Sequence, residues 1–567
     1  MALVESEKYS FVYVRMKTQS AIVLGTALPV YLAVALQDGF GQTPILGFNT
    51  YNDVACSPNS TYVEDTINAL AAKGFASYGY RYFQVDCGWQ GFQRLDNGSI
   101  TYDESVFPGG IKPLSDLAIS KGFQWSMYTD QGLNACDTLT DKLRPGSLGY
   151  ETEDAAMFRA WNAEYVKVDN CYINGPLENA PKDPRTDFPS RFGNMSSALQ
   201  DVGIKGMLVC QWGVPYQSPT GLQGPAIWTP AVATSYRVSD DIAQGWPNVQ
   251  RIMNQAIHVN LNDASGPGSF ADMDLLEVGN AGMTLEEQKS HFAIWAMFKS
   301  ALMISTSILD MSQEVYNVLT NKMLISINQD NLGAPVKLVQ RYSDDHDVFA
   351  GPLANGDHAV LLLDHSNENR VICIDFADLG IVSADVEDLW SGDNTQGATL
   401  FSAHIGPHGN AALRLSNISK IETPPSYQLQ YIEAESGRLE GGANVQTCSG
   451  CSQGSKVGYI GSGATLTFEG IRASKDSMDI YFDYIDCEIG YLSTQGLNVR
   501  GASISVNSGP AQSVHFPLTG YDWDKDLLKG FKVSLSGFQD GQNNILTISA
   551  LPAVSQFAPD FDRIGFY

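Results

Sequence analysis

The chain has 567 residues, enough for several domains, and 62 acidic against 35 basic side chains leave it at a net charge of -27. Such a surplus of carboxylates argues against nucleic acid or an anionic membrane surface as partner and fits a protein that works in acidic surroundings. The 53 glycines and 25 tyrosines describe a loop-rich, aromatic composition.

In chain order, the first feature is the stretch Met16-Lys17-Thr18-Gln19-Ser20, followed by an apolar run to Val34 and the small-residue pattern Ala33-Val34-Ala35. It reads as a secretory signal peptide preceded by a 15-residue extension, and Pro29 and its shortness argue against a membrane span. Secretion gives the nine cysteines a disulfide context. It also gives meaning to the four sequons at Asn59, Asn97, Asn194 and Asn417.

Between residues 45 and 330 short apolar runs alternate with amphipathic ones at a spacing near 40 residues. Strands are predicted at 45–49, 82–87, 124–129, 164–169, 207–211, 234–239, 268–272 and 302–307. Helices are predicted at 61–73, 112–121, 152–162, 191–201, 249–259 and 285–302. Eight such units make an α/β (β/α)8 TIM barrel whose polar strand ends ring one mouth. No Gly-rich phosphate loop follows the first strand, which disfavours a doubly wound sheet.

From 333 the texture changes to period-two alternation, as in His358-Ala359-Val360-Leu361-Leu362-Leu363, which predicts an antiparallel β-sandwich. A polar stretch with Pro424-Pro425 reads as a linker, and the strand- and glycine-rich remainder as a second, separate β-sandwich. The expected division is an N-terminal extension and signal peptide at 1–35, the barrel at 36–332, a sandwich at 333–418, a linker at 419–429 and a last module at 430–567.

Two strand ends carry chemistry: Tyr165-Val166-Lys167-Val168-Asp169-Asn170-Cys171 and Arg237-Val238-Ser239-Asp240-Asp241-Ile242. Paired carboxylates at strand ends suit a retaining glycosidase, with one anion to attack the sugar and one acid to protonate the leaving oxygen. Lys167 shares a strand face with Asp169 and is expected to depress its pKa, as suits a nucleophile. Asp240 is expected to raise the pKa of Asp241, as suits an acid. The plainer alternative is that both aspartates cap the helices that follow.

Six further motifs stand in order: Leu46-Gly47-Phe48-Asn49-Thr50-Tyr51-Asn52, Tyr82-Phe83-Gln84-Val85-Asp86-Cys87-Gly88-Trp89, Met127-Tyr128-Thr129-Asp130, Cys210-Gln211-Trp212, Asp272-Met273-Asp274 and Ile327-Asn328-Gln329-Asp330. With the two aspartate motifs, this set resembles glycoside hydrolase family 27, the melibiases, over residues 46 to about 415. The resemblance implies α-galactosidase activity on galactosyl oligosaccharides or polysaccharides, with no catalytic cofactor. It implies Asp169 as nucleophile and Asp241 as general acid/base. It implies that Phe48, Asp86, Cys87, Tyr128, Lys167, Gln211, Trp212, Arg237 and Asp274 line the sugar site, with Phe48 in place of a tryptophan on the sugar's apolar edge.

Two positions depart from the family. Cys87 stands where a second aspartate is usual, and Gln211 where a glutamate is usual. A glycone without a hydroxymethyl group, as in a β-L-arabinopyranoside, is the alternative within this fold, and a non-catalytic carbohydrate-binding protein the alternative outside it. The resemblance implies a Cys136–Cys171 bridge and makes Cys87 the expected mate of Cys56, the alternative being a free thiol facing the sugar. Cys448-Ser449-Gly450-Cys451 is spaced for a tight bridge, and no second CxxC or histidine pair supports zinc. The last module resembles carbohydrate-binding modules of families 6 and 35 in Ile432-Glu433-Ala434-Glu435-Ser436-Gly437, Gly458-Tyr459-Ile460-Gly461 and Pro559-Asp560-Phe561-Asp562-Arg563-Ile564. That resemblance implies a structural calcium held by Glu433, Glu435 and Asp562.

Overall fold

A computed structural model describes residues 40–137, 143–421, 428–489 and 496–567. The predicted signal segment at 16–35 and the proline pair of the predicted linker lie outside these residues.

Eight parallel strands form the first domain: β1 (Leu46–Asn49), β2 (Tyr82–Val85), β3 (Gln124–Asp130), β4 (Ala163–Asp169), β5 (Gly206–Val209), β6 (Ser235–Arg237), β7 (Phe270–Asp272) and β8 (Leu302–Ile304). They hydrogen-bond in the order β8-β1-β2-β3-β4-β5-β6-β7. A parallel bridge between Leu276 and Ile304 links the end of this sheet back to β8 and closes a TIM barrel. Every predicted strand is present, and the register sets polar ends side by side: Tyr128 opposite Lys167, Asp130 opposite Asp169, Arg237 opposite Asp272.

The helices start where their caps lie. Asn59 accepts from Tyr62 N at 3.0 Å ahead of Ser60–Ala72, and Thr284 with Glu287 makes a capping box ahead of Leu285–Met297. This last helix stops five residues short of the predicted 302. Lys299 takes a left-handed φ of 59°, and its buried ammonium turns to the carbonyls of Ile327, Asn328 and Asp330. One glycine is sterically required at the mouth: a Cβ on Gly132 would lie 1.7 Å from the Cys171 carbonyl oxygen, so only glycine lets the loop after β3 run against the loop after β4.

Strand parity sorts the side chains. Asn49, Gln84, Ser126, Tyr128, Lys167, Asp169 and Arg237 face the barrel interior, while Phe48, Phe83 and Trp125 stack on its outer side with ring centroids 5.4 and 5.7 Å apart. Phe48 thus packs with Val63 and Ile67 of the first long helix in the main apolar core.

The antiparallel sandwich after the barrel packs the strands Lys337–Tyr342, His346–Pro352, His358–Asp364, Ile381–Asp388, Asn394–Ala398 and Asn410–Lys420 over the pair Arg370–Asp375 and Leu400–Ile405. The last module is a β-sandwich with its own apolar core around Phe482, Phe516, Phe531 and Phe561. The two sandwiches do not stand apart as the sequence suggests. Strand Lys337–Tyr342 pairs in parallel with Leu528–Ser536, Arg341 opposite Val533 and Tyr342 opposite Ser534, so one sheet runs through both. Arg341, buried beside this seam, pairs with Asp347 at 2.6 Å and donates to His515 O of the last module at 2.8 Å and to Asn254 Oδ1 of the barrel at 3.0 Å. Burial alone would raise the Asp347 pKa, but Arg341 and His365 outweigh it and hold the carboxyl well below the usual range.

Candidate active site

The strand ends β2, β3 and β4 build one side of the mouth. Asp169 closes β4, and its Oδ2 accepts from the Tyr128 hydroxyl at 3.2 Å. Tyr128 is anchored in turn by accepting from Cys136 N at 3.1 Å. The Asp130 carboxylate accepts from Cys171 N at 3.0 Å, and the Cys136–Cys171 bridge ties the loops after β3 and β4 together. Behind the turn, Arg191 donates to Asn170 Oδ1 and Gln131 O, both at 2.6 Å.

Lys167 reaches this cluster from inside the barrel, but its ion pair is with Asp86 at 2.9 Å, not with Asp169. Asp86 also accepts from Asn49 Nδ2 at 2.7 Å. The expectation that Lys167 leaves Asp169 with a depressed pKa is overturned. Burial raises it most, Lys167 only pulls it back in part, and Asp241 and Asp86 push it further, so that it stands at about 6. Asp130, fully buried beside Asp169, is raised well above the carboxylate range by burial and by that neighbour.

The acid side is built differently. Asp241 lies four residues beyond the end of β6, and its side chain is 56% exposed. Its Oδ1 accepts from Arg237 Nη2 at 3.1 Å. Arg237 is 1% exposed and engaged by protein on several sides: Asp274 at 2.7 Å, Cys210 Sγ at 3.4 Å and Ser239 O at 3.3 Å. Burial raises the Asp240 pKa, and Asp241 adds to that rise. The Asp240 carboxylate is turned onto Arg251, whose other nitrogen donates to the Asp241 carbonyl at 3.1 Å.

The predicted sugar-site residues therefore divide. Asp86, Tyr128, Lys167 and Asp169 meet at the mouth. Arg237 and Asp274 brace the loop after β6, where Asp274 also accepts from Ile242 N at 2.7 Å and Leu275 N at 2.8 Å. Cys87 is bridged to Cys56 and so walls the pocket in a cluster with Tyr128 and Ala135. Gln211 is fully buried and donates to Arg237 O at 2.9 Å, while its Oε1 has no partner. Trp212 takes a left-handed φ of 56° and packs over Cys171 and Cys210. Phe48 is on the outer face of the barrel and does not reach the mouth.

An aromatic ring that does stand against the charged cluster is that of Tyr51. Its ring lies 5.5 Å from the Lys167 ammonium, and burial together with Asp241 pushes its hydroxyl up to about 12. Sequence reasoning missed it and the buried Arg251. The signal for Tyr51 was parity: polar Asn49 must face a polar barrel interior, which sends Phe48 outward.

In the last module Cys448 and Cys451 are bridged. Glu433 Oε2 and Asp562 Oδ1 both accept from the Ser452 hydroxyl, at 2.5 and 2.7 Å, and Glu435 carries a buried carboxylate oxygen without a partner. Among the described residues the only group whose ligand atoms all lie within 4.8 Å of one another is Asp130, Cys136 and Cys171, and its sulfurs are spent on each other.

Residues 49–330 match the family model described as alpha galactosidase A, and residues 343–415 the alpha galactosidase C-terminal beta sandwich domain. A probable alpha-galactosidase D of Aspergillus niger is 35% identical over 406 residues, 70% of this chain and 60% of that protein. A probable alpha-galactosidase D of Aspergillus fumigatus is 29% identical over 617 residues, 90% of this chain and 93% of the relative. The crystal structure of alpha-galactosidase I from Mortierella vinacea superposes with a TM-score of 0.61 at 27% identity, over 68% of this chain and all of that one. The barrel and the sandwich that follows it are thus the catalytic domain and the C-terminal β-sandwich of the melibiases, the glycoside hydrolase family 27 of α-galactosidases.

Proposed function

We propose that the chain is a retaining α-galactosidase that releases terminal α-D-galactose from oligosaccharides and polysaccharides. The observation that carries this is the meeting of a buried carboxylate, Asp169, with an exposed one, Asp241, close enough to act on each other's charge, between Lys167 and Arg237. Asp169, as the anion, attacks the anomeric carbon while Asp241 gives its proton to the leaving oxygen. Asp241, now a base, takes a proton from water, which displaces Asp169 and restores both groups. Asp86 and Lys167 present charged groups, and Tyr128 and Tyr51 neutral hydroxyls, to the galactose hydroxyls. Turnover of a panel of nitrophenyl glycosides, including the β-L-arabinopyranoside, tests the glycone, and proton NMR of the first-formed sugar tests the mechanism. α-Galactose released first is the expected result, and β-galactose first would remove the double displacement.

The same reading extends to secretion and glycosylation, supported by the leader pattern and by the exposure of Asn59, Asn97, Asn194 and Asn417. It extends to the last module as a carbohydrate-binding module of the family 6 or 35 kind. Glu433, Glu435 and Asp562 are hard oxygen donors that suit calcium, and the unpartnered Glu435 oxygen is a group a cation would satisfy. A rise in melting temperature with calcium, reversed by chelator and absent in Glu435→Gln, is the expected result.

A further inference from the structure

We propose that the last module acts in the chemistry from a distance, through Asn498, a positioning residue that sets the helix on which the acid/base loop hangs. The inference rests on reading Asp241 as the acid/base. Asn498 is 3% exposed and adopts a left-handed φ of 54°, which asparagine tolerates. Its Nδ2 donates to Arg251 O at 3.1 Å and to Gln255 Oε1 at 2.9 Å, one turn apart on helix Trp246–Leu261. The neighbouring Leu497 carbonyl accepts from Asn254 Nδ2 of the same helix at 3.0 Å, and Asn254 Oδ1 takes the bond from Arg341. The clasp is closed from the rear by the sheet that runs through both sandwiches.

The held residue, Arg251, is the one that fixes the acid side. Its guanidinium, 1% exposed, binds the Asp240 carboxylate and the Asp241 carbonyl. No disulfide ties this loop, in contrast to the loops after β2, β3 and β4. A small rotation of the helix would carry Arg251, and with it the backbone of Asp241, away from the leaving oxygen. Displacement by about an ångström is enough to cost a large part of a positioned group's contribution. Asn498 is buried and its amide is spent on helix Trp246–Leu261, so its loss is expected to weaken acid assistance and leave the nucleophile's surroundings intact.

Leaving-group dependence separates these effects. A sugar or alkyl leaving group needs protonation, whereas 2,4-dinitrophenolate leaves without it. For Asn498→Ala, kcat/KM on raffinose is expected to fall roughly tenfold or more, while kcat/KM on 2,4-dinitrophenyl α-galactoside stays within about twofold. Asn498→Asp, of the same size but lacking the donor, should behave alike and serves if the alanine variant does not fold. Gln340→Ala removes bonds to Asp479 and Ser534 across the same domain seam but away from Arg251, and should lower both substrates equally or neither. Equal losses on the two substrates for a folded Asn498 variant, or no loss on either, would overturn the proposal. Asp241→Asn is the separate check on the underlying reading: if it shows no leaving-group dependence, the acid/base assignment fails and not the clasp.

Discussion

The two sides of the barrel mouth are held by different means. Around Asp169 almost everything is local and locked: two disulfides, a buried Lys167–Asp86 pair, and the Asp130 and Tyr128 bonds to the turn backbone. Around Asp241 the carboxylate is exposed, and its loop is held by two buried arginines, Arg237 on its carboxylate and on Asp274, Arg251 on its carbonyl and on Asp240. A nucleophile must meet one carbon along one line, so rigidity serves it. A proton donor must serve leaving groups of different shape and then a water molecule, so exposure serves it, and its alignment is delegated to packing further out.

Removing the nucleophile should produce the largest effect. Asp169→Asn is expected to lower kcat on the order of 10⁴-fold or more, on good and poor leaving groups alike, with an unchanged circular dichroism spectrum. A near-native rate in steady-state assays would contradict the assignment.

Next comes the exposed side. Asp241→Asn should cost about 10²- to 10⁴-fold on raffinose and far less on 2,4-dinitrophenyl α-galactoside. Added azide should then speed turnover of the activated substrate and give α-galactosyl azide, since a small anion can attack the galactosyl-enzyme without base help. If azide leaves turnover of Asp241→Asn unchanged, the division of labour between the two sides is wrong.

How much of this division was legible in sequence depends on its range. The eight strands were readable because a barrel strand is a short apolar run with a polar end, and each aspartate was placed by its own motif. Phe48 was misplaced because its neighbours on the chain do not reveal which way a strand faces; the Asn49 bonds to Gln84 and Asp86 do. The pKa argument for Asp169 failed because two-residue spacing shows that Lys167 shares a face but not that Asp86 takes its charge. Arg251 and Asn498 were invisible for a plainer reason. Their contacts span 247 residues, and no local pattern encodes a pairing of that length. The continuous sheet was missed likewise, since a proline-bearing stretch says nothing about which strands meet beyond it.

A smaller and more specific effect should come from Lys167. Lys167→Met removes the cation that holds the Asp169 pKa down against burial. Asp169 must be ionised to attack, so activity is lost as pH falls through its pKa, now about 6. Raising that pKa moves the acid limb of the kcat/KM profile to higher pH. A loss of roughly 10- to 100-fold at the optimum should accompany the shift, through weaker charge stabilisation near the sugar. An acid limb that stays in place would assign it to another group.

The smallest effect on catalysis, and the clearest on stability, belongs to the Cys56–Cys87 bridge. It closes a loop with a sequence separation of 31, spanning the helix Ser60–Ala72 and strand β2. Constraining a loop of that size in the unfolded chain is worth about 2–4 kcal/mol. Cys87 offers the sugar no charge in either state, and Asp86 beside it is held by Lys167 and Asn49 whether or not the bridge forms. Cys56→Ala is therefore expected to lower the melting temperature by several degrees while kcat on a nitrophenyl galactoside stays within a few-fold. Peptide mapping after alkylation without reduction should find Cys87 unlabelled in the native protein. A labelled Cys87, or a kinetic loss as large as that of Lys167→Met, would mean that the sulfur faces the sugar and that the locked side of the mouth is locked by Cys136–Cys171 alone.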